Sequence, residues 1–338
     1  MRFENVSIIG VGYVEAPYRI TSYELGEQIL PTLEKFGLGP NLIEDMTGIR
    51  ARRWWDLDLE FNAVAAMAAE KAMADAGIDK SQLGVLINTS VCRDFLEPSM
   101  ACLVHGRLGL PPECQNFDVA NACLAFINGM AIIGNMIERG QLDYGIVVDG
   151  EGSRYAVECT IKRLQDPNCD RQTFRENMAT LTLGSGGAAM VLARSDLAPN
   201  GHKITACVNL AATQHNRLCL GQNHQMSTDA SALLVAGLEL AEKTWAKACQ
   251  EMGWSPDYVD HCIIHQVSAV HTAKFCKTFG ISQDKVFLTF PEYGNIGPAA
   301  VPFTLCKALE AGRIKKGDRV ALMGIGSGIN CSMMEVIW

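Results

Sequence analysis

The sequence predicts an α/β protein made of two duplicated βαβαβ halves. Short β-branched or apolar runs alternate with longer helical patterns along the whole chain, the rhythm of a parallel or mixed sheet covered by helices. The order strand, helix, strand, strand, helix, strand occurs twice. The two occurrences also align at a nearly constant offset: the segment from Lys71 lies over the segment from Lys247, so that Gly77 meets Gly253 and Leu83 meets Val259, and Glu138–Leu142 lies over Glu310–Ile314.

Taken in order, Val6–Gly10 reads as a strand, Glu60–Ala76 as a helix, Val85–Thr89 and Asn116–Val119 as strands, Cys123–Glu138 as a helix and Tyr144–Val148 as a strand. The second set is Ala188–Ala193, Leu233–Met252, His261–His265, Lys285–Thr289, Pro298–Ala311 and Val320–Met323. Residues 1–193 and 194–338 are the expected halves. Residues 151–183 and 209–229 fit neither and read as insertions that cover a cleft.

Composition narrows the functional classes. The chain has 338 residues, 48% apolar and 20% charged, which is globular usage. Lys and Arg number 29 against 37 Asp and Glu, a net charge of −8, so a general nucleic-acid surface is not expected and an anionic ligand needs a local basic patch. Thirteen Cys carry no CxxC pair and no zinc-ligand spacing with His, which points to a reducing cytoplasm and no metal. Val119–Ile137 carries no charge, yet its Asn121, Asn128, Asn135, Gly129 and Gly134 argue for a buried core helix over a transmembrane segment. The N-terminal apolar run reads as a first strand and not as a signal peptide.

Four short segments can carry chemistry. FDVANACLAF puts Cys123 at a strand–turn–helix junction, where the helix dipole lowers a thiol pKa; with thirteen Cys, a small buried hydrophobe is the plain alternative. His265 directly follows an apolar strand, at the sheet end where open α/β folds place their sites. GNIGPA sets Asn295 between glycines at a helix start, which is also ordinary turn chemistry. GIGSG, with Gly326 and Ser327, follows the last strand and offers backbone N–H groups, but it lacks Walker and dinucleotide-fingerprint spacing.

Together FDVANACLAF, IIHQVS, GNIGPA, GIGSG and TGIRARR resemble the thiolase-fold condensing enzymes, in their 3-oxoacyl-carrier-protein synthase III branch. The resemblance is closest, through NTSVCRDFLEPS, VVDGE and TLTLG, to the OleA group of olefin-pathway enzymes. It implies a thiolase-like fold with a five-layered αβαβα arrangement and a homodimer. The implied activity is a non-decarboxylative Claisen condensation of two long-chain acyl-CoA molecules to a 2-alkyl-3-oxoalkanoic acid. In that scheme Cys123 carries the acyl group, with its own N–H and the Gly326–Ser327 turn as oxyanion donors. His265 and Asn295 stabilise the enolate of the second thioester, and Glu97, delivered from the partner subunit, takes its α-proton. Coenzyme A enters only as part of the substrate, no redox or metal cofactor is implied, and downstream olefin-pathway enzymes are the further partners.

The chain departs from the synthase III pattern where a Trp precedes the TGI segment, since Leu42 and Ile43 stand there, and in Pro298 and Pro302 of the late helix. Arg50, Arg52 and Arg53 form the best local patch for CoA phosphates, with a salt-bridged surface cluster as the alternative. For Glu97 the alternative is a solvated carboxylate paired with Arg93. Gly129, Met130 and Gly134 either set an acyl-channel width or pack a helix. The rival activities are a decarboxylative synthase using malonyl-thioester, a Cys-dependent thioesterase and a catalytically idle scaffold.

Overall fold

The computed structural model describes all residues, 1–338. Nine strands form one mixed sheet: β1 (Val6–Glu15), β2 (Val85–Asn88), β3 (Gln115–Asp118), β4 (Tyr144–Glu151), β5 (Gly186–Arg194), β6 (His202–Ala211), β7 (His261–Ile264), β8 (Arg319–Gly326) and β9 (Asn330–Ile337). Their spatial order is β7-β8-β9-β6-β1-β5-β4-β2-β3. β2 runs parallel to β3 and β4, and β7 parallel to β8; the other ladders are antiparallel. β1 and β6 pair only through Ser7 with Lys203 and Ile8 with His202, and at this narrow join the sheet divides into two halves.

Six helices cover it: α1 (Phe61–Ala76), α2 (Met100–Leu108), α3 (Ala125–Glu138), α4 (Ala230–Met252), α5 (Ala269–Phe279) and α6 (Ala300–Glu310). The strand period of two decides their layers. Val85 and Ile87 of β2 face a core with Ile127, Met130 and Ile133 of α3, while Leu86 between them faces Ala68, Ala69 and Ala72 of α1. In the other half Val320 and Leu322 of β8 face the same α3 core, joined by Val301 and Leu305 of α6, while Ala321 and Met323 face Leu240 and Trp245 of α4. α3 and α6 therefore lie between the two half-sheets, giving five layers, αβαβα. A helix so placed must be apolar all round, which explains the uncharged run at Val119–Ile137. None of the helices is long and apolar enough to cross a membrane.

Close approach shapes the outer layer. A Cβ on Gly10 would lie 2.3 Å from the Ala72 carbonyl oxygen, and one on Gly12 2.5 Å from that of Ala68, so the alanine-rich face of α1 rests directly on β1. The Asp94 carboxylate accepts from the N–H groups of Phe61 and Asn62 at 2.6 and 2.8 Å, capping the same helix.

The duplication holds, with three corrections. The strand at 186–194 belongs to the first half, antiparallel between β1 and β4. The second half begins instead at β6, whose polar start, His202 and Lys203, and exposed Asn209 hid its alternation. The expected strand at Lys285–Thr289 is one parallel bridge, Val286 with Cys262, in the place that β3 fills beside β2. Finally, the Gly-rich 324–332 segment is two strands and a tight turn, since β8 runs to Gly326 and β9 starts at Asn330.

The insertions pack on each other. Helices Arg154–Leu164 and Arg171–Asn177 meet the hairpin Cys219–Gln222/Gln225–Thr228, with Thr180 Oγ1 donating to the Met226 carbonyl at 3.3 Å and Ser227 Oγ to Glu176 at 3.4 Å. Gly129 and Gly134 pack against Thr89, Val147 and Phe3, ordinary helix packing.

Candidate active site

The loops that follow β3, β4, β7 and β8, and the turn before α6, carry the candidate residues. After β3 the chain makes the Ala120–Ala122 turn, and Ala122 takes a φ of 46°, a left-handed conformation that costs a non-glycine residue about 1–2 kcal/mol. Side chains hold it there. Asn121 donates to Asn128 Oδ1 at 2.7 Å and accepts from Asn330 Nδ2 at 2.9 Å, while its carbonyl accepts from Leu124 N–H at 3.1 Å. Cys123 sits in the following 3-10 turn, Ala122–Leu124, which leads into α3.

Burial pushes the Cys123 thiol up to about 12, and the carboxylate of Glu151 adds to the effect. The helix start alone predicts the opposite direction; removal from water outweighs it. At rest the Cys123 side chain is therefore a neutral thiol. His265 is neutral as well: burial, then the neighbouring His271, hold its pKa down to about 4. Its backbone N–H donates to the Met323 carbonyl at 2.8 Å, and its buried Nδ1 has no partner.

Asn295 is fixed through its backbone, donating to the Thr182 carbonyl at 2.9 Å and accepting from Gly184 N–H at 2.8 Å. Its Oδ1 accepts from Gly297 N–H at 3.0 Å, which leaves the NH2 as the donor end of the amide. The approach of these strands requires glycine: a Cβ on Gly184 would lie 1.8 Å from the Tyr293 carbonyl oxygen. Gly326 faces the nucleophile turn, where an added Cβ would fall 2.7 Å from the Asn121 carbonyl oxygen, and Ser327 follows it, half-buried.

Glu97 is different. It lies on an exposed loop, between Leu96, 94% exposed, and Pro98. The expected partner Arg93 is taken by Asp118 at 2.8 Å, so Glu97 is not the salt-bridged carboxylate of the plain reading.

The arginine patch does not hold together. Arg52 is completely buried, donating to Ser22 Oγ at 3.0 Å and the Leu181 carbonyl at 2.8 Å, and cannot reach a phosphate. The strand Ala51–Trp54 turns alternate side chains to opposite faces, which separates it from Arg53, stacked on Tyr293 at 5.4 Å. Arg50 is exposed and pairs with Glu292 at 2.9 Å.

Asp149 and Glu151 were not assigned a role from sequence. Both are buried at the end of β4, and two acids at alternate positions of an otherwise apolar strand were the available signal. All thirteen cysteines are free, and no group of three His, Cys, Asp or Glu is arranged to hold a metal ion.

Residues 249–338 match the family model described as 3-oxoacyl-[acyl-carrier-protein] synthase III C terminal. An acyl-CoA:acyl-CoA alkyltransferase of Xanthomonas campestris is 50% identical, and one of Shewanella oneidensis 36%, each over the full length of both chains. The crystal structure of a histidine-to-alanine variant of Xanthomonas campestris OleA matches with a TM-score of 0.97, covering 100% of both chains at 50% identity. The cerulenin-bound OleA structure matches at 0.98, covering 100% of this chain and 98% of that one. A cysteine-to-serine variant with bound lauric acid and lauroyl-CoA also matches at 0.98, over 99% of this chain and 100% of that one.

Proposed function

The chain belongs to the acyl-CoA:acyl-CoA alkyltransferase family, and from that premise we propose that it joins two long-chain acyl-CoA molecules head to head. Two acyl-CoA and one water give a 2-alkyl-3-oxoalkanoic acid and two CoA. The observation that carries the reading is the set of turns itself: Cys123 on a strained helix start packed against β8 and the turn after Asn295, with His265 bonded to β8 through its backbone. The cysteine, histidine and glutamate replaced in the OleA crystal structures are also spaced along that chain as Cys123, His265 and Glu97 are here.

Cys123 sulfur attacks the first thioester carbonyl, the thiol proton passes to the departing CoA sulfur, and the acyl group stays on Cys123. The oxyanion is held by Cys123 N–H and the Gly326–Ser327 turn. His265 and the Asn295 amide then donate to the carbonyl oxygen of the second thioester. A neutral imidazole is able to do this work, because it still carries one N–H that can donate to an enolate oxygen. Glu97 of the partner subunit removes the α-proton, and the carbanion attacks the Cys123 thioester, expelling the sulfur. Hydrolysis of the remaining thioester releases the second CoA.

This reading makes the protein a cytoplasmic homodimer in which each chain carries the halves 1–193 and 194–338, with coenzyme A as a substrate part only and olefin-pathway enzymes acting on its product. Exposed Phe95 and Leu96 flank Glu97 with the apolar surface that a subunit interface would cover. Arg50 and Arg53 remain to meet the CoA phosphates. The test is to supply labelled myristoyl-CoA with and without malonyl-CoA. A condensed acid or its ketone from myristoyl-CoA alone, without carbon dioxide from malonyl-CoA, is expected. Free myristate as the sole product, or condensation only with malonyl-CoA, overturns the proposal in favour of a thioesterase or a decarboxylative synthase.

A further inference from the structure

The loop that carries Glu97 starts beside the nucleophile, and one buried carboxylate fastens it there. Glu151 Oε1 accepts from Val91 N–H at 2.6 Å and Oε2 from Cys92 N–H at 3.3 Å, the first two residues beyond Ser90. On its other side the Glu151 carboxyl carbon lies 3.5 Å from where a Cβ of Gly297 would stand, against the turn that aims Asn295. Its own carbonyl accepts from the Trp55 indole at 3.0 Å. We infer that Glu151, backed by Asp149, is a positioning residue that anchors the base of the loop from which Glu97 reaches the partner subunit's site. The inference rests on the condensation proposed above and on Glu97 as its base.

The groups facing Glu151 are all acidic or neutral: Asp149 from the same strand, Cys92 from the loop and Cys123 from the turn before α3. None of the chain's ion pairs includes it. Burial raises its pKa to about 7, while burial and the Glu151 charge push Asp149 well above the carboxylate range. Asp149 thus stays protonated and accepts from Thr89 Oγ1 at 2.7 Å, while its buried Oδ1 has no hydrogen-bond partner. Below neutrality Glu151 takes up a proton, its bonds to the two N–H groups lose their charge, and the loop loosens.

The test compares wild type, Glu97→Gln, Glu151→Gln and Asp149→Asn with myristoyl-CoA. The readouts are acylation of Cys123, condensed product and the pH profile of each, with iodoacetamide alkylation of Cys123 on the free enzyme. Glu151→Gln should still acylate, lose condensation by about tenfold to a hundredfold, and lose the near-neutral acid limb of the condensation profile. Removing the negative charge should also shift the pH profile of Cys123 alkylation to lower pH, whereas lost packing alone would scale the rate without moving the profile. Asp149→Asn, which stays neutral like the protonated acid and keeps the acceptor for Thr89, should retain condensation. If wild type condenses and Glu97→Gln does not, yet Glu151→Gln condenses like wild type with the same pH profile, the inference is overturned. If wild type makes no condensed product, it is the condensation reading that fails.

Discussion

Gly326→Ala tests whether the turn after β8 and the nucleophile turn form one oxyanion site. The added Cβ would stand 2.7 Å from the Asn121 carbonyl oxygen and 3.2 Å from the Leu124 nitrogen and Cβ. These are mostly backbone atoms with no rotamer to yield. Carbon and oxygen settle about half an ångström or more farther apart, so the two turns must separate by that amount. Asn121 resists, being tied to Asn128 and Asn330. Misplacing one oxyanion donor costs about 2.7–4 kcal/mol of transition-state stabilisation, a loss of roughly 10²–10³ in rate, against a folding cost of about 1–3 kcal/mol. Stopped-flow release of CoA from myristoyl-CoA measures acylation, and thermal melting measures stability. Acylation within about threefold of wild type in a folded Gly326→Ala enzyme, against the 10²–10³ expected, would refute the reasoning.

Other outcomes follow from the same geometry. Glu97→Gln should accumulate acylated Cys123 and give no condensed product, read by intact-protein mass spectrometry; turnover like wild type would return Glu97 to the solvated surface. Alkylation of Cys123 in the free enzyme should climb with pH toward about 12, and a plateau below neutrality would show that the helix start wins over burial. His265 and His271 are each held near 4 by burial. Unfolded imidazoles gain protons below about 6.5 while the folded ones do not, so stability should fall as pH drops from there to about 4, by about 3 kcal/mol per residue at most. His265→Asn should lose part of that slope in urea titrations; an unchanged slope contradicts it. Arg52→Met should leave KM for myristoyl-CoA unchanged, since the guanidinium is walled off, whereas Arg50→Met should raise KM; the reverse pattern would place CoA elsewhere.

How much of this was legible in the sequence depended on periodicity. The central helix α3 and strands β2, β7 and β8 declared themselves through unbroken apolar runs, as doubly covered elements must. β6 did not, because its exposed Lys203 and Asn209 break the pattern, and β9 did not, because the Gly-rich turn before it and Glu335 interrupt its apolar run. Cys123, His265 and Asn295 stood out as candidates because each stands where an apolar element meets a turn. Their protonation was not found: burial, a tertiary property, sets the thiol and imidazole against the local dipole argument. Glu151 escaped for the same reason, since its partners, Val91 and Cys92, are distant in sequence. Arg52 misled because three adjacent basic residues look like one patch until a strand turns them to opposite faces.

The most direct measurement counts CoA against product with myristoyl-CoA as the only substrate, beside Cys123→Ser. Two CoA released per condensed acid or ketone, with neither formed by the variant, is the expected result. One CoA per free myristate, or condensation that survives the loss of the Cys123 thiol, would contradict the account.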